Sequence, residues 1–101
     1  MDVKFMEFVV EGNKLIAKDQ FHPLIGELSF PAVADHRVVV ERVFIHPDFR
    51  GQGIANELVK HFVEYADEHD LTVKLMCPFA KAEFRRHPEY QKLLSPQDRM
   101  K

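Results

Sequence analysis

The first half of the chain alternates short apolar runs with turn-forming residues, a pattern typical of β-strands joined by hairpins. Residues 3–10 are rich in apolar side chains and predict a first strand. Glu11-Gly12-Asn13 then predicts a turn, and Lys14–Lys18 a return strand. Residues 22–30 predict a third strand, followed by a turn at Ala34-Asp35. The sequence therefore predicts an antiparallel meander.

A nearly continuous apolar strand and a two-sided helix follow the meander. Residues 37–45 are mostly β-branched, which is typical of a central strand covered on both faces. Between residues 54 and 68 the apolar positions fall on one half of a helical wheel and most charged positions on the other, which predicts a helix lying on a sheet. Residues 71–76 predict another strand. Because a helical crossover leads to it, we expect it to run parallel to residues 37–45.

The last part of the chain predicts a second helix. Pro78 is suited to the first helical position, and the helical pattern continues through residues 80–87 until Pro88. Residues 89–94 predict one or two final helical turns. The element order is ββββαβα, so we expect an α/β (α+β) fold whose mixed sheet combines an antiparallel meander with one parallel β-α-β unit.

Size and composition indicate one soluble domain. The 101 residues fit a single domain over residues 1–101, and 46% of them are hydrophobic and 30% charged. A net charge of −2 gives no field that would attract nucleic acid or an anionic membrane. No apolar run is long enough for a membrane span, and the histidines lack the spacing of a metal site. A single cysteine, Cys77, favours a reducing cytoplasm.

The segment HPDFRGQGIANELV, at residues 46–59, contains the strongest candidate site. It leads into a helix N-terminus, where backbone N–H groups lack partners and the helix dipole favours an anion. Gly51 and Gly53 remove side chains that would hold a phosphate away, and Arg50 adds positive charge. Asn56 occupies the place where a dinucleotide fingerprint needs a third glycine or alanine. The loop suits a pyrophosphate, although a tight strand-to-helix turn also explains its glycines.

The spacing Arg50-x-x-Gly53-x-Ala55 resembles the pyrophosphate loop of the GNAT superfamily of N-acetyltransferases. The resemblance implies that this loop binds acetyl-coenzyme A, and that backbone groups of the preceding strand pair with the cofactor's amides. It also implies that the two helices that usually follow the first strand are missing here. The implied cofactor-binding residues are Val43, Phe44 and Ile45 in the strand, and Arg50, Gly51, Gln52, Gly53, Ile54 and Ala55 in the loop.

The tail KLMCPFAKAEFRRHPEYQKLL resembles a small GNAT subgroup of about one hundred residues with a cysteine after the fifth strand. Cys77 is accordingly a candidate acyl carrier, and its alternative role is that of a small buried apolar residue. Glu41, mid-strand among valines, is a candidate general base or else a member of a structural ion pair. The subgroup often has His-Thr where this chain has Glu41-Arg42.

The expected activity is acetyl transfer from acetyl-coenzyme A to an amine acceptor that the sequence does not identify. The alternative is a non-catalytic coenzyme-A-binding module or a structural adaptor. Without the two helices the acceptor side is open, which suits a protein acceptor or a homodimer that completes the pocket. Three cations, Lys81, Arg85 and Arg86, are either a contact for the cofactor's 3′-phosphate or a solvated helix face.

Overall fold

The computed structural model describes residues 5–100, and its first three strands form an antiparallel meander. These strands are β1 (Glu7–Glu11), β2 (Lys14–Lys18) and β3 (Gly26–Ser29). A two-residue turn joins β1 to β2, and its Gly12 has a φ of 60°, which glycine adopts without strain. The predicted hairpin is confirmed, and no helix separates β1 from β2. Part of the predicted strand at 3–10 lies outside the described residues, and the third strand is shorter than the predicted 22–30.

The prediction of one strand over residues 37–45 is wrong. The structure has three short strands in this part of the chain, β4 (Ala32–Ala34), β5 (Arg37–Val40) and β6 (Arg42–Ile45). β6 completes a four-stranded antiparallel sheet of order β1-β2-β3-β6, whereas β5 belongs to a second sheet. The Glu41 N–H donates to the Ser29 carbonyl at 2.9 Å, although Ser29 pairs with Arg42 in the register. Glu41 and Arg42 therefore both lie opposite Ser29, and this β-bulge separates β5 from β6.

The predicted parallel β-α-β unit is confirmed. Helix α1 (Ile54–Glu68) connects β6 to β7 (Thr72–Leu75), which pairs in parallel with β5 in the sheet β4-β5-β7. One face of α1 is buried in the core against the sheet, as the sequence pattern predicts. The buried residues of α1 are Ile54, Leu58, Val59, Phe62, Val63 and Ala66.

The predicted second helix is α2 (Pro78–Arg86), and a 3-10 helix at Pro88–Leu93 replaces the predicted final turns. A further 3-10 helix spans Pro96–Asp98. Ala80 and Phe84 of α2 join the same buried cluster as the apolar residues of α1. Leu94 forms a parallel bridge with Val73, which places the end of the chain beside β7. The observed fold is thus the expected mixed α+β class.

The meander has one buried face and one open face. Leu15, Ala17 and Leu28 point into the core and are almost fully buried. The neighbouring positions in the same strands, such as Lys14 and Glu27, point to the opposite face, because successive strand residues alternate. That second face carries charged and half-buried side chains, and we call it the open face.

Gly26 allows β3 and β6 to approach closely, and this generates a testable prediction. A Cβ at Gly26 would lie 2.8 Å from the Phe44 carbonyl oxygen and 2.7 Å from Cδ1 of Ile45. Gly26→Ala should lower the free energy of unfolding, because overpacking costs about 1–3 kcal/mol. The gain from a stiffer unfolded chain is only about 0.4–1 kcal/mol. Urea denaturation measures the difference. Ser29→Ala, in the same strand, is the control, and equal stability of the two variants would contradict the prediction.

Candidate functional site

The outer edge of β6 is the first component of the candidate site. The His46 N–H donates to the Ile25 carbonyl at 2.8 Å, so these two residues form a hydrogen-bonded pair. Non-hydrogen-bonded and hydrogen-bonded pairs then alternate along β6. The backbone groups of Arg42 and Phe44 therefore face β3, whereas those of Val43 and Ile45 face away from it. In the described part of the chain β6 pairs with β3 alone, so its other edge borders open space.

The chain after β7 turns away instead of pairing with β6. Met76 and Cys77 both donate their backbone N–H groups to the Val40 carbonyl, at 3.0 and 3.1 Å. This shared acceptor ends the parallel ladder at Val40, and Pro78 then begins α2. The two sheets consequently separate beyond Val40, and a cleft opens between β6 and the start of α2.

The cleft has a volume of about 450 Å³ and continues along the glycine loop to the start of α1. It brings together every predicted cofactor-binding residue except Gln52. Phe49, Asn56 and Phe79 complete its wall. The full lining comprises Val43, Phe44, Ile45, Phe49, Arg50, Gly51, Gly53, Ile54, Ala55, Asn56 and Phe79.

The two loop glycines are required by backbone conformation, and they border empty space. Gly51 and Gly53 both have a φ of 79°, in the left-handed region that other residues rarely adopt. A Cβ built on either residue would meet no atom within 4 Å. Gly53 is also the N-cap of α1, and it provides no side-chain hydrogen bond to the first turn. The first N–H groups of the helix are thus left for an external acceptor.

Arg50 is held at the loop by its own backbone environment. Its Nε donates to the Ile45 carbonyl at 3.1 Å, and its side chain lines the cleft. Within residues 5–100 no carboxylate forms an ion pair with Arg50. Its charge is therefore available to the cleft, at the end where the N-terminus of α1 also favours an anion.

The two predicted catalytic residues do not line the cleft. Cys77 is 6% exposed and is the N-cap of α2, with its carbonyl accepting the Lys81 N–H at 3.0 Å. Glu41 is exposed and borders a separate hollow of about 280 Å³, together with Glu11, Asn13 and Lys14. In the described part of the chain Glu41 forms no ion pair, so the alternative of a structural ion pair is not observed. Both catalytic roles stay predictions.

Phe49, Asn56 and Phe79 are cleft residues that the sequence analysis missed. Phe79 is 37% exposed, unlike Phe84 one and a half turns later, which is fully buried. Five residues place the two phenylalanines about 140° apart on α2, so helical spacing puts them on different sides, but it does not show what Phe79 faces. The tail KLMCPFAKAEFRRHPEYQKLL, which carries the resemblance, contains Phe79 and was a further signal for it.

None of the basic residues of α2, which are Lys81, Arg85 and Arg86, lines the cleft. Arg86 donates to the buried carboxylate of Glu83 at 2.9 Å, and Lys81 borders a different hollow with Lys74 and Asp98. Neither side chain lines the cleft. The structure thus gives no support to a 3′-phosphate contact at Lys81 or Arg86.

The segment His87-Pro88-Glu89-Tyr90 forms a packed cluster after α2. The ring of His87 stacks on Tyr90 with centroids 4.7 Å apart, and its two nitrogens lie 3.6 Å from Glu83 and Glu89. Burial and then the negative charges of Glu89 and Glu83 raise the pKa of the Tyr90 hydroxyl. We interpret this cluster as the end support of α2, because Tyr90 also packs edge-on against the buried Phe84.

In residues 5–100 no group of three or more histidine, cysteine or acidic side chains is arranged to hold a metal ion. No helix in the same range has the length and apolar character needed to cross a membrane.

The fold and the cleft together define an acyltransferase-type domain, and comparison with known proteins identifies its family. Residues 13–93 match the family model described as GCN5-related N-acetyl-transferase. Because that match spans most of the chain, the protein belongs to the GCN5-related N-acetyltransferase family and is an acetyltransferase by class. No curated protein gave a significant match.

Solved structures support the same fold. The solution structure of a GCN5-like candidate N-acetyltransferase from Staphylococcus aureus has a TM-score of 0.71 and 24% sequence identity, covering 90% of this chain and 89% of that one. A candidate acyl-CoA N-acyltransferase from Klebsiella pneumoniae subsp. pneumoniae has a TM-score of 0.55 and 18% identity, covering 75% of this chain and 54% of that one. At these identities the comparisons establish the fold alone.

Proposed function

We propose that this protein transfers an acetyl group from acetyl-coenzyme A to an amine acceptor in the cytoplasm. The observation that carries the proposal is the continuity of the cleft. It joins a free strand edge to an open glycine loop at a helix N-terminus. A long ligand with amides at one end and phosphates at the other matches that sequence of groups.

The pyrophosphate of the cofactor would be held at residues 50–55. Two left-handed glycines leave space above the loop, and the first-turn N–H groups of α1 and the Arg50 guanidinium favour negative charge there. The amides of the pantetheine arm would pair with the outward backbone groups of Val43 and with the Ile45 N–H, because the Ile45 carbonyl already accepts a hydrogen bond from Arg50. Phe79 and Phe49 would cover the apolar parts of that arm.

Acetyl transfer then requires an amine nucleophile and a proton acceptor. The amine nitrogen attacks the thioester carbon, the C–S bond breaks, and the coenzyme leaves as a thiolate that takes up a proton. Glu41 lies at the bulge where the two sheets separate, on the open face. We assign it the role of general base, directly or through a water, because it is an exposed carboxylate at the edge of the separation.

The competing proposal is a coenzyme-A-binding module without turnover. The exposed position of Glu41 and the short β1–β2 turn favour it, because neither encloses an acceptor next to the cleft. If a homodimer enclosed the acceptor, the open surroundings of the cleft would no longer favour the binding module.

Cofactor binding is tested first with a matched pair of glycine variants. Gly53→Val should weaken acetyl-coenzyme A binding by at least about tenfold in calorimetry, because the new side chain enters the space above the loop. Gly12→Val is the control, since Gly12 has a similar φ of 60° and equally open surroundings, but it lies in the β1–β2 turn. Both variants carry similar backbone strain. Equal affinities for the two would remove the glycine loop from the proposed site.

Turnover is tested with amine acceptors. Release of free coenzyme A should accelerate when a lysine peptide or small amine is supplied. The rate should rise with pH by up to about tenfold per unit below the acceptor's pKa, because only the neutral amine attacks. Glu41→Gln should lower the rate without weakening cofactor binding. Tight cofactor binding with no release across a broad acceptor panel would favour the binding module.

The role of Cys77 is tested by mass spectrometry. We expect direct attack of the amine on the thioester, because the Cys77 side chain is almost fully buried. Incubation with acetyl-coenzyme A should then give no acetyl adduct on Cys77, and Cys77→Ala should keep its turnover number within a few-fold. A hydroxylamine-labile acetyl group on Cys77, formed as fast as turnover and lost in Cys77→Ala, would establish an acyl-enzyme route instead.

A further inference from the structure

The outer edge of β1 is a second exposed strand edge, on the far side of the sheet from the cleft. In the described part of the chain β1 pairs only with β2. Because a two-residue turn sets the register, the backbone groups of Glu7, Val9 and Glu11 bond to β2. Those of Phe8 and Val10 consequently point away from the sheet. An added strand would find two N–H groups and two carbonyls there.

A glutamate lies at each end of the outer edge of β1. Glu7 and Glu11 are exposed, and both side chains lie on the open face. Their cross-strand neighbours are Lys18 and Lys14, but no ion pair connects them, and Lys14 lies nearest Glu27 at 3.9 Å. The two carboxylates are thus able to pair with cations on an added strand.

A hollow of about 460 Å³ lies at the start of the same edge. It is lined by Phe5, Glu7, Asp19, Gln20 and Phe21, and the Phe21 side chain is 77% exposed. The loop that carries Phe21 is held in place, since the Asp19 carboxylate accepts the N–H groups of Phe21 and His22 at 2.8 and 2.7 Å. An exposed aromatic ring on a fixed loop is suited to contact an apolar partner residue.

The charges decide which partner fits. A second copy of β1 in antiparallel register places Glu7 opposite Glu11 at both ends, and a parallel in-register copy places each glutamate opposite itself. Like charges directly opposite each other destabilise strand pairs. A strand with cations four residues apart and apolar residues between them is complementary, and the inner edge of β1 already pairs with such a strand, KLIAK of β2.

We propose that the outer edge of β1 docks an extended basic segment of a partner protein, which has two cations four residues apart. The segment pairs with the backbone of Phe8 and Val10 and places its cations opposite Glu7 and Glu11. An apolar residue beyond the second cation contacts Phe21. This surface is independent of the acetyl-transfer proposal, because β2 and β3 separate β1 from β6.

The test is an NMR titration with a blocked peptide, Lys-Leu-Ile-Ala-Lys-Gly-Leu. The amides of Phe8 and Val10 should exchange quickly in the free protein and become protected on binding. The amide of Val9, which already bonds to β2, should be protected in both states. The matched peptide Glu-Leu-Ile-Ala-Glu-Gly-Leu should not bind. A peptide with N-methylated backbone amides should also fail, because it cannot complete the ladder.

Two variants test the contacts themselves. The double variant Glu7→Gln, Glu11→Gln should lower the affinity for the basic peptide by about three- to tenfold, because two exposed ion pairs are lost. Phe21→Ser alone should also lower the affinity for the basic peptide. Neither variant should change acetyl-coenzyme A binding. Equal binding of the acidic peptide would overturn the proposal, as would unchanged exchange at Phe8 and Val10 with saturating basic peptide. Protection that appears at high protein concentration without peptide would identify a second copy as the occupant instead.

Discussion

The change of hydrogen-bonding partner at Glu41 is the constraint on which the rest of the structure depends. Before it, Val40 belongs to a parallel sheet with β7. After it, Arg42 belongs to an antiparallel sheet with β3. The Val40 carbonyl accepts the N–H groups of Met76 and Cys77, just after β7, and Arg42 pairs with β3 instead of continuing the ladder. The two sheets must therefore separate, and the separation exposes one edge of β6. Without this edge the glycine loop would be an isolated anion site rather than one end of a continuous cleft.

The conformation of the glycine loop determines how the chain passes from β6 into α1. Its two glycines take left-handed dihedral angles that turn the chain from β6 into the helix, and Gly53 caps the helix without a side chain. The two explanations that the sequence left open for these glycines are thus compatible. They make a tight turn, and the same absence of side chains leaves the space above the first turn of α1 empty. Arg50 connects the two parts because its guanidinium bonds the last carbonyl of β6.

The sequence predicted the elements whose periodicity is strong. Helix α1 and its parallel partner β7 follow from a clear apolar face and a helical crossover. The split at Glu41 was not predictable, because both β5 and β6 are β-branched and give one continuous pattern. The two segments differ in the strands with which they pair, and the periodicity of a sequence does not indicate which strands pair. In α2 the helical period places Phe79 and Phe84 on different sides, but it does not show that Phe79 faces the cleft. The loop residues were identified from the resemblance of their spacing to the pyrophosphate loop of the family, and the glycines in that spacing reflect local backbone angles rather than distant packing.

The open face is covered by charged side chains whose sign follows the order of the strands. Charge alternates from strand to strand across it, with Glu7 and Glu11 on β1, lysines on β2, Glu27 on β3 and Arg42 on β6. Glu27 lies 3.8 Å from Arg42 and 3.9 Å from Lys14, so β3 has opposite charge on both sides. Strand β1 has such a neighbour on one side only. The arrangement that neutralises the middle of the face thus leaves its outer edge acidic, and this edge selects basic strands over copies of itself.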